Sequence, residues 1–108
     1  MYASEAAPLS SFQYASKYGF GTYKNLRDVT KGAGLQVHHL IEKRFAGALG
    51  VKGDDMLSIV LTKKEHLVFT KAWRKAIPYG TSPSKQQIMR EARNVYKDYP
   101  EILKKLGL

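Results

Sequence analysis

Two of the three histidines in this 108-residue chain are adjacent, His38 and His39 in "GLQVHHLIEKRF" (Gly34–Phe45), and the third, His66, stands in "LTKKEHLVF". An imidazole titrates near neutrality, so at physiological pH it can accept a proton as a general base or ligate a metal ion through a lone pair. One histidine alone is usually a surface residue or a hydrogen-bonded core residue. Three that can be brought together suggest a divalent metal held by two imidazoles, completed by water and phosphate oxygens, with the third left free as a base.

Whether they meet depends on the elements that carry them. "LQVHHLI", 35–41, is short, partly β-branched and follows the glycine turn "KGAG", which predicts a strand. "EKRFAGALG" predicts a short helical turn and "VKGDD" a loop. "MLSIVLT", 56–62, predicts a second strand, pairing antiparallel with the first. Thr62 and Glu65 have the spacing of a capping box, which satisfies the free N–H groups at a helix start. Phe69, Ala72, Trp73 and Ala76 then give that helix its buried face, and His66 projects from its first turn toward the core. A helix packed across the hairpin brings His66 to His38. Neighbours in a regular strand point to opposite faces, so His39 can share a substrate with His38 only if the strand ends, twists or bulges there. The pair is therefore expected at a strand end. The bland alternative, a surface His39 and a satisfied core His38, stays open at this level.

The flanking segments read as helices. "SSFQYASKYGFGTYKNLRDVTKGAG" predicts two short ones broken at Gly19–Gly21, the first facing inward with Phe12, Ala15 and Ser16, the second with Tyr23, Leu26 and Val29. Ser84 and Gln87 form a second capping box before a stripe of Ile88, Ala92, Val95 and Tyr99. Pro100 breaks that helix, and "PEILKKLGL" adds a last one with Ile102, Leu103 and Leu106 inward. The expected fold class is α+β, a single domain over 1–108. It comprises a loose lead-in over 1–8, a hairpin-plus-helix core over 34–77 and C-terminal helices over 82–108.

Composition narrows the function. Lys and Arg number 18 against nine Asp and Glu, a formal charge of +9, which suits a polyanionic partner such as nucleic acid or an acidic protein. The chain has no cysteine, which excludes disulfides and thiolate zinc sites. No apolar run is long enough to span a bilayer. "MYASEAAPLS" lacks the basic and apolar regions of a signal peptide, so export would require a carrier or a larger parent chain.

"LQVHHLIEKRFAGALG" followed by "MLSIVLTKKEHLVFTKAWRKAIPYG", residues 34–80 in all, resembles the HNH/endonuclease VII superfamily of nucleases. More narrowly, it is similar to nuclease domains at the C-termini of bacterial polymorphic toxins of the rearrangement-hotspot and contact-dependent inhibition types. The resemblance implies a ββα-metal core surrounded by additional α-helices. It implies an endonuclease that hydrolyses phosphodiester bonds, with DNA the default substrate and RNA the alternative, and with low sequence specificity. It assigns His38 and His66 to one divalent metal ion (Mg, Mn, Zn or Ni) and His39 to the general base. Some members have a further histidine where this chain has Thr70, which at most supports a water or a phosphate. Many have an asparagine near the second strand where this chain reads "GDDMLSIV", which leaves Asp54, Asp55 or Ser58 as substitutes. Glu42 either supports a histidine or pairs with Lys43 or Arg44, and Glu65 supports the site through its cap. Lys43, Arg44, Lys63, Lys64, Arg74 and Lys75 are the basic residues expected to meet flanking phosphates. A toxin of this kind implies a cognate immunity protein, acidic to match the charge, and delivery into a target cell's cytoplasm as part of a larger exported protein. Two rival readings use the same residues: a non-catalytic basic nucleic-acid-binding module, and a metal-independent ribonuclease with His38 and His39 as acid and base.

Overall fold

The computed structural model describes residues 7–108. In chain order they form helix α1 (Ala15–Tyr18), strand β1 (Gly21–Thr22), helix α2 (Tyr23–Val29), strand β2 (Gln36–His39), helix α3 (Ala46–Leu49), strand β3 (Leu57–Leu61) and helices α4 (Lys63–Ala76), α5 (Lys85–Val95) and α6 (Pro100–Leu106). Short 3-10 turns stand at Leu9–Ser11, Lys43–Phe45 and Gly53–Asp55. The fold is α+β.

β2 and β3 pair antiparallel, with His38 opposite Ile59 and His39 opposite Ser58. β3 is the central strand of three, in the order β1-β3-β2. A central strand covered on both faces is largely apolar: Ser58 to Leu61 are all buried, and Ser58, the one polar residue among them, donates its hydroxyl to the Met56 carbonyl. The third strand was not expected from sequence, because β1 is only two residues long and lies at the glycine break. Gly21 serves there by lacking a side chain: a Cβ would stand 3.2 Å from the Leu26 side chain, which folds back from α2. Thr22 then caps α2, its hydroxyl accepting from Asn25 N–H at 3.2 Å.

Both hairpin strands are shorter than the apolar runs that announce them. Leu40 still donates its N–H to the Leu57 carbonyl at 3.0 Å, but its own carbonyl leaves the sheet to accept from the Trp73 indole and the Tyr96 hydroxyl. Thr62 leaves β3 because it is the N-cap of α4. Its hydroxyl accepts from Glu65 N–H at 3.2 Å while the Glu65 carboxylate accepts from Thr62 N–H at 2.9 Å, the reciprocal box expected from the sequence. A single residue therefore joins β3 to α4 and fixes the helix's first turn relative to the sheet.

α4 crosses the hairpin with Phe69 and Trp73 buried, and α5 packs on α4 through Ile88 and Ala92. Phe12, Phe69, Tyr96 and Tyr99 form a continuous aromatic cluster that ties the N-terminal segment to α4 and to the link between α5 and α6. Such ring pairs contribute about 0.5–1.5 kcal/mol each beyond their burial. Two inward residues expected from periodicity differ. Ser16 is exposed, and the first helix begins only at Ala15. Val29 is exposed because the seven-residue α2 buries Leu26 alone. Of the lead-in, residues 1–6 lie outside the described residues. Ala7 is held, donating its N–H to the Asp98 carbonyl at 2.7 Å, and Leu9 is buried.

Candidate active site

His39 is the last residue of β2, so the pair does sit at a strand end. Strand alternation sends His38 into the core, 1 % exposed, and leaves His39 half-buried on the other face. The strand stops there, and all three imidazoles line one open cavity of about 290 Å³ together with Glu42, Lys43, Arg44, Thr70 and Tyr79.

His38 and His66 face each other through their Nδ1 atoms, 3.0 Å apart, with ring centroids separated by 5.0 Å. His66 is placed by α4, where its N–H makes the first helical bond to the Thr62 carbonyl at 2.9 Å. His38 is held from behind by the Tyr96 hydroxyl, 2.8 Å from its Nε2, and its ring stacks on Phe69. Two nitrogens bound to one first-row ion at about 2.0–2.1 Å lie about 3.0–3.4 Å from each other. The observed separation fits that span, and imidazole nitrogens suit such ions. Among the described residues no group of three or more His, Cys, Asp or Glu side chains converges, so the remaining positions on an ion would fall to water and substrate oxygens.

His39 is oriented differently. Its Nε2 lies 3.2 Å from the Gly53 carbonyl, and its ring stacks on Tyr23 at a centroid distance of 4.1 Å and an interplanar angle of 9°. A carbonyl only accepts, so Nε2 carries the proton and Nδ1 is the basic nitrogen. The support expected from Asp54, Asp55 or Ser58 is thus supplied by a backbone carbonyl and an aromatic face. Ser58 is buried and donates to the Met56 carbonyl, Asp54 pairs loosely with Arg27 at 3.9 Å, and Asp55 is exposed beside a neighbouring cavity.

The remaining expected site residues divide clearly. Glu42 pairs with Arg44 at 2.8 Å on the cavity wall and holds a negative charge near His66. Arg44 is largely spoken for: beyond Glu42 it donates to the carbonyls of Ile77 and Pro78 and lies over the rings of Phe45 and Tyr79. Thr70 lines the cavity but donates its hydroxyl to the His66 carbonyl at 3.1 Å. Glu65 caps α4 with one oxygen and accepts from Gln13 N–H with the other, clear of the imidazoles. Lys43 lines both this cavity and the next, while Lys63 and Lys64 are exposed on the first turn of α4. Arg74 stacks on Tyr79, and Lys75 lines a cleft between α4 and α5. Sequence reasoning missed Tyr23, Gly53, Tyr79 and Tyr96. Tyr23 carried only a packing signal at helical spacing with Leu26, and Tyr96 had a readable signal in lying four residues after Ala92 and eight after Ile88.

Burial lowers all three imidazoles below their ordinary value, His38 most strongly. The neighbouring His66 and His39 lower His38 further, and Lys43 adds to the lowering of His39. All three are neutral at pH 7, as both a ligand and a base require. An unfolded chain takes up protons near pH 6.5 that the fold refuses. The stability from neutral histidines is therefore complete above that value and declines as pH falls toward the lowered folded values. In chelator, the urea midpoint should be level from about pH 8 to about 6.5 and drop toward about pH 5. A level profile across the whole range would mean that the imidazoles are not held neutral.

The cap offers a second test. Losing the Thr62 hydroxyl should cost about 1 kcal/mol of stability, leaving the domain folded. A functional group displaced by about 1 Å can lower a rate on the order of 100-fold. Thr62→Ala is thus expected to impair the site far more than the urea midpoint. Equal, small effects on both would show that Phe69 and Trp73 hold His66 without the cap.

No known protein family, curated protein or solved structure matches this chain.

Proposed function

We propose that the protein is a metal-dependent endonuclease of the HNH type, hydrolysing phosphodiester bonds, with DNA of little sequence specificity as its substrate. The observation that carries this reading is the division of the imidazoles. His38 and His66 converge through two ring nitrogens 3.0 Å apart, while His39, on the same cavity, keeps a basic Nδ1.

A divalent ion held by His38 and His66 would supply Lewis-acid stabilisation of charge on the phosphate and leaving oxygen. The chain's own residues do the rest. His39 takes the proton of the attacking water at Nδ1, while its Nε2–H stays on the Gly53 carbonyl and Tyr23 keeps the ring from rotating. Lys43 reaches both cavities and can neutralise phosphates on either side of the cleaved bond.

The resemblance to polymorphic toxin nucleases extends the proposal to an antibacterial toxin domain, carried by a larger exported protein and neutralised by an immunity protein. A charge of +9 makes an acidic inhibitor the complementary partner. The ribonuclease alternative fits less well, because His38 is buried with both ring nitrogens engaged and cannot exchange protons with a substrate.

Incubating purified protein with plasmid DNA and with RNA, in added divalent metal and in chelator, tests the reading. Nicking of DNA that stops in chelator and returns with metal is expected. Binding without cleavage under every condition would leave a basic nucleic-acid-binding module. RNA cleavage that survives chelator and yields cyclic phosphate ends would establish the metal-independent ribonuclease.

A further inference from the structure

We infer that Tyr96 is a positioning residue that presets the tautomer of His38, so that its Nδ1 lone pair always points at His66, while His66 is the ligand that switches. The inference rests on the proposed metal site and assigns to that site the residue that ends α5.

The Tyr96 hydroxyl lies within hydrogen-bonding reach of three groups: the Leu40 carbonyl, the Trp73 indole Nε1 at 3.3 Å and His38 Nε2 at 2.8 Å. The Leu40 oxygen is the closest of the three and can only accept, and two oxygens in such contact need a proton between them, so the single hydroxyl proton goes there. The indole can only donate, and it serves the Leu40 carbonyl at 3.1 Å and the tyrosine oxygen together. The hydroxyl has no second proton to offer His38. Nε2 of His38 must therefore be the donor, and its Nδ1 carries the lone pair.

All of these groups are buried: Tyr96, Trp73 and Leu40 are 0 % exposed and His38 1 %. No water competes to reverse the order, and among the described residues no buried side-chain polar atom lacks a partner. Without metal, His66 must then donate through Nδ1–H to His38 Nδ1, its proton standing between the two nitrogens. Its ring is half-buried, so it can move that proton to Nε2 by exchange with solvent. One fixed and one adaptable imidazole result. A ligating histidine's other N–H commonly has such a partner, and removing it typically weakens metal binding about 10–100-fold.

Long-range nitrogen–carbon NMR correlations of the imidazoles read the tautomers directly, with Zn²⁺ as the probe metal. In metal-free protein, His38 should be protonated at Nε2 and His66 at Nδ1. Saturating Zn²⁺ should move the His66 proton to Nε2 and leave His38 unchanged. Tyr96→Phe keeps the ring and removes the hydroxyl. His38 should then populate the Nδ1–H form, and Zn²⁺ affinity measured by calorimetry should fall about 10–100-fold. Metal-free wild-type protein with His38 protonated at Nδ1 would overturn the inference, even if Tyr96→Phe failed to fold. An unchanged His38 tautomer and affinity in folded Tyr96→Phe would overturn it too. If Zn²⁺ does not bind the wild type, the metal site fails, yet the metal-free spectra still decide whether Tyr96 sets His38.

Discussion

Replacing His39 with alanine is expected to lower plasmid cleavage by about 10²–10⁴-fold, the usual contribution of a positioned general base. The substitution should do little else. His39 lies at the end of β2, half-buried, and its partners are a backbone carbonyl and the face of Tyr23 rather than the His38–His66 pair. Divalent-metal affinity and the urea midpoint should therefore stay close to wild type. Turnover near the wild-type rate would remove His39 from the chemistry. A large loss of metal affinity in the same variant would instead make it a ligand, contrary to its position on the opposite face of the strand from His38.

The parts of the fold that were legible in the sequence are those governed by local rules. The two capping boxes at Thr62–Glu65 and Ser84–Gln87 form as their spacing requires, because both partners lie within one helical turn. The hairpin and the approach of His66 to His38 followed from a glycine turn, two β-branched runs and the apolar stripe of α4. What stayed hidden depends on long-range contacts between polar or aromatic groups. The Gly53 carbonyl meets His39 from 14 positions further along the chain, and a backbone acceptor has no signature in a sequence. Tyr96 reaches His38 across 58 residues, and the stripe of Ile88, Ala92, Val95 and Tyr99 beside it gives no sign of a polar role. The pair β1–β3 rests on two residues, too few to show an alternating pattern. Arg44 reads from its charge as a phosphate ligand or as a partner of Glu42, and only the fold reveals that two carbonyls occupy it as well.

Removing either convergent imidazole should lower divalent-metal affinity by about 100-fold or more, beyond the range usual for outer-shell partners. The two variants should nevertheless differ in stability, because their surroundings differ. His66 is half-buried on the first turn of α4, and its main links are a helical backbone bond and the contact with His38. Alanine is compatible with that helix, so His66→Ala should change the urea midpoint little. His38 is wholly buried between Phe69, Tyr96 and His66. Deleting its ring opens a void in the core and takes a hydrogen-bond partner from Tyr96, which should cost about 2–5 kcal/mol, as large-to-small core substitutions do. Calorimetric titration with a divalent metal and urea unfolding on the same preparations separate the two effects. Loss of binding in both variants with destabilisation in His38→Ala alone is the expected pattern. Unchanged affinity in folded His66→Ala would reject the two-histidine site outright, since His66 contributes the only imidazole that faces His38 from α4.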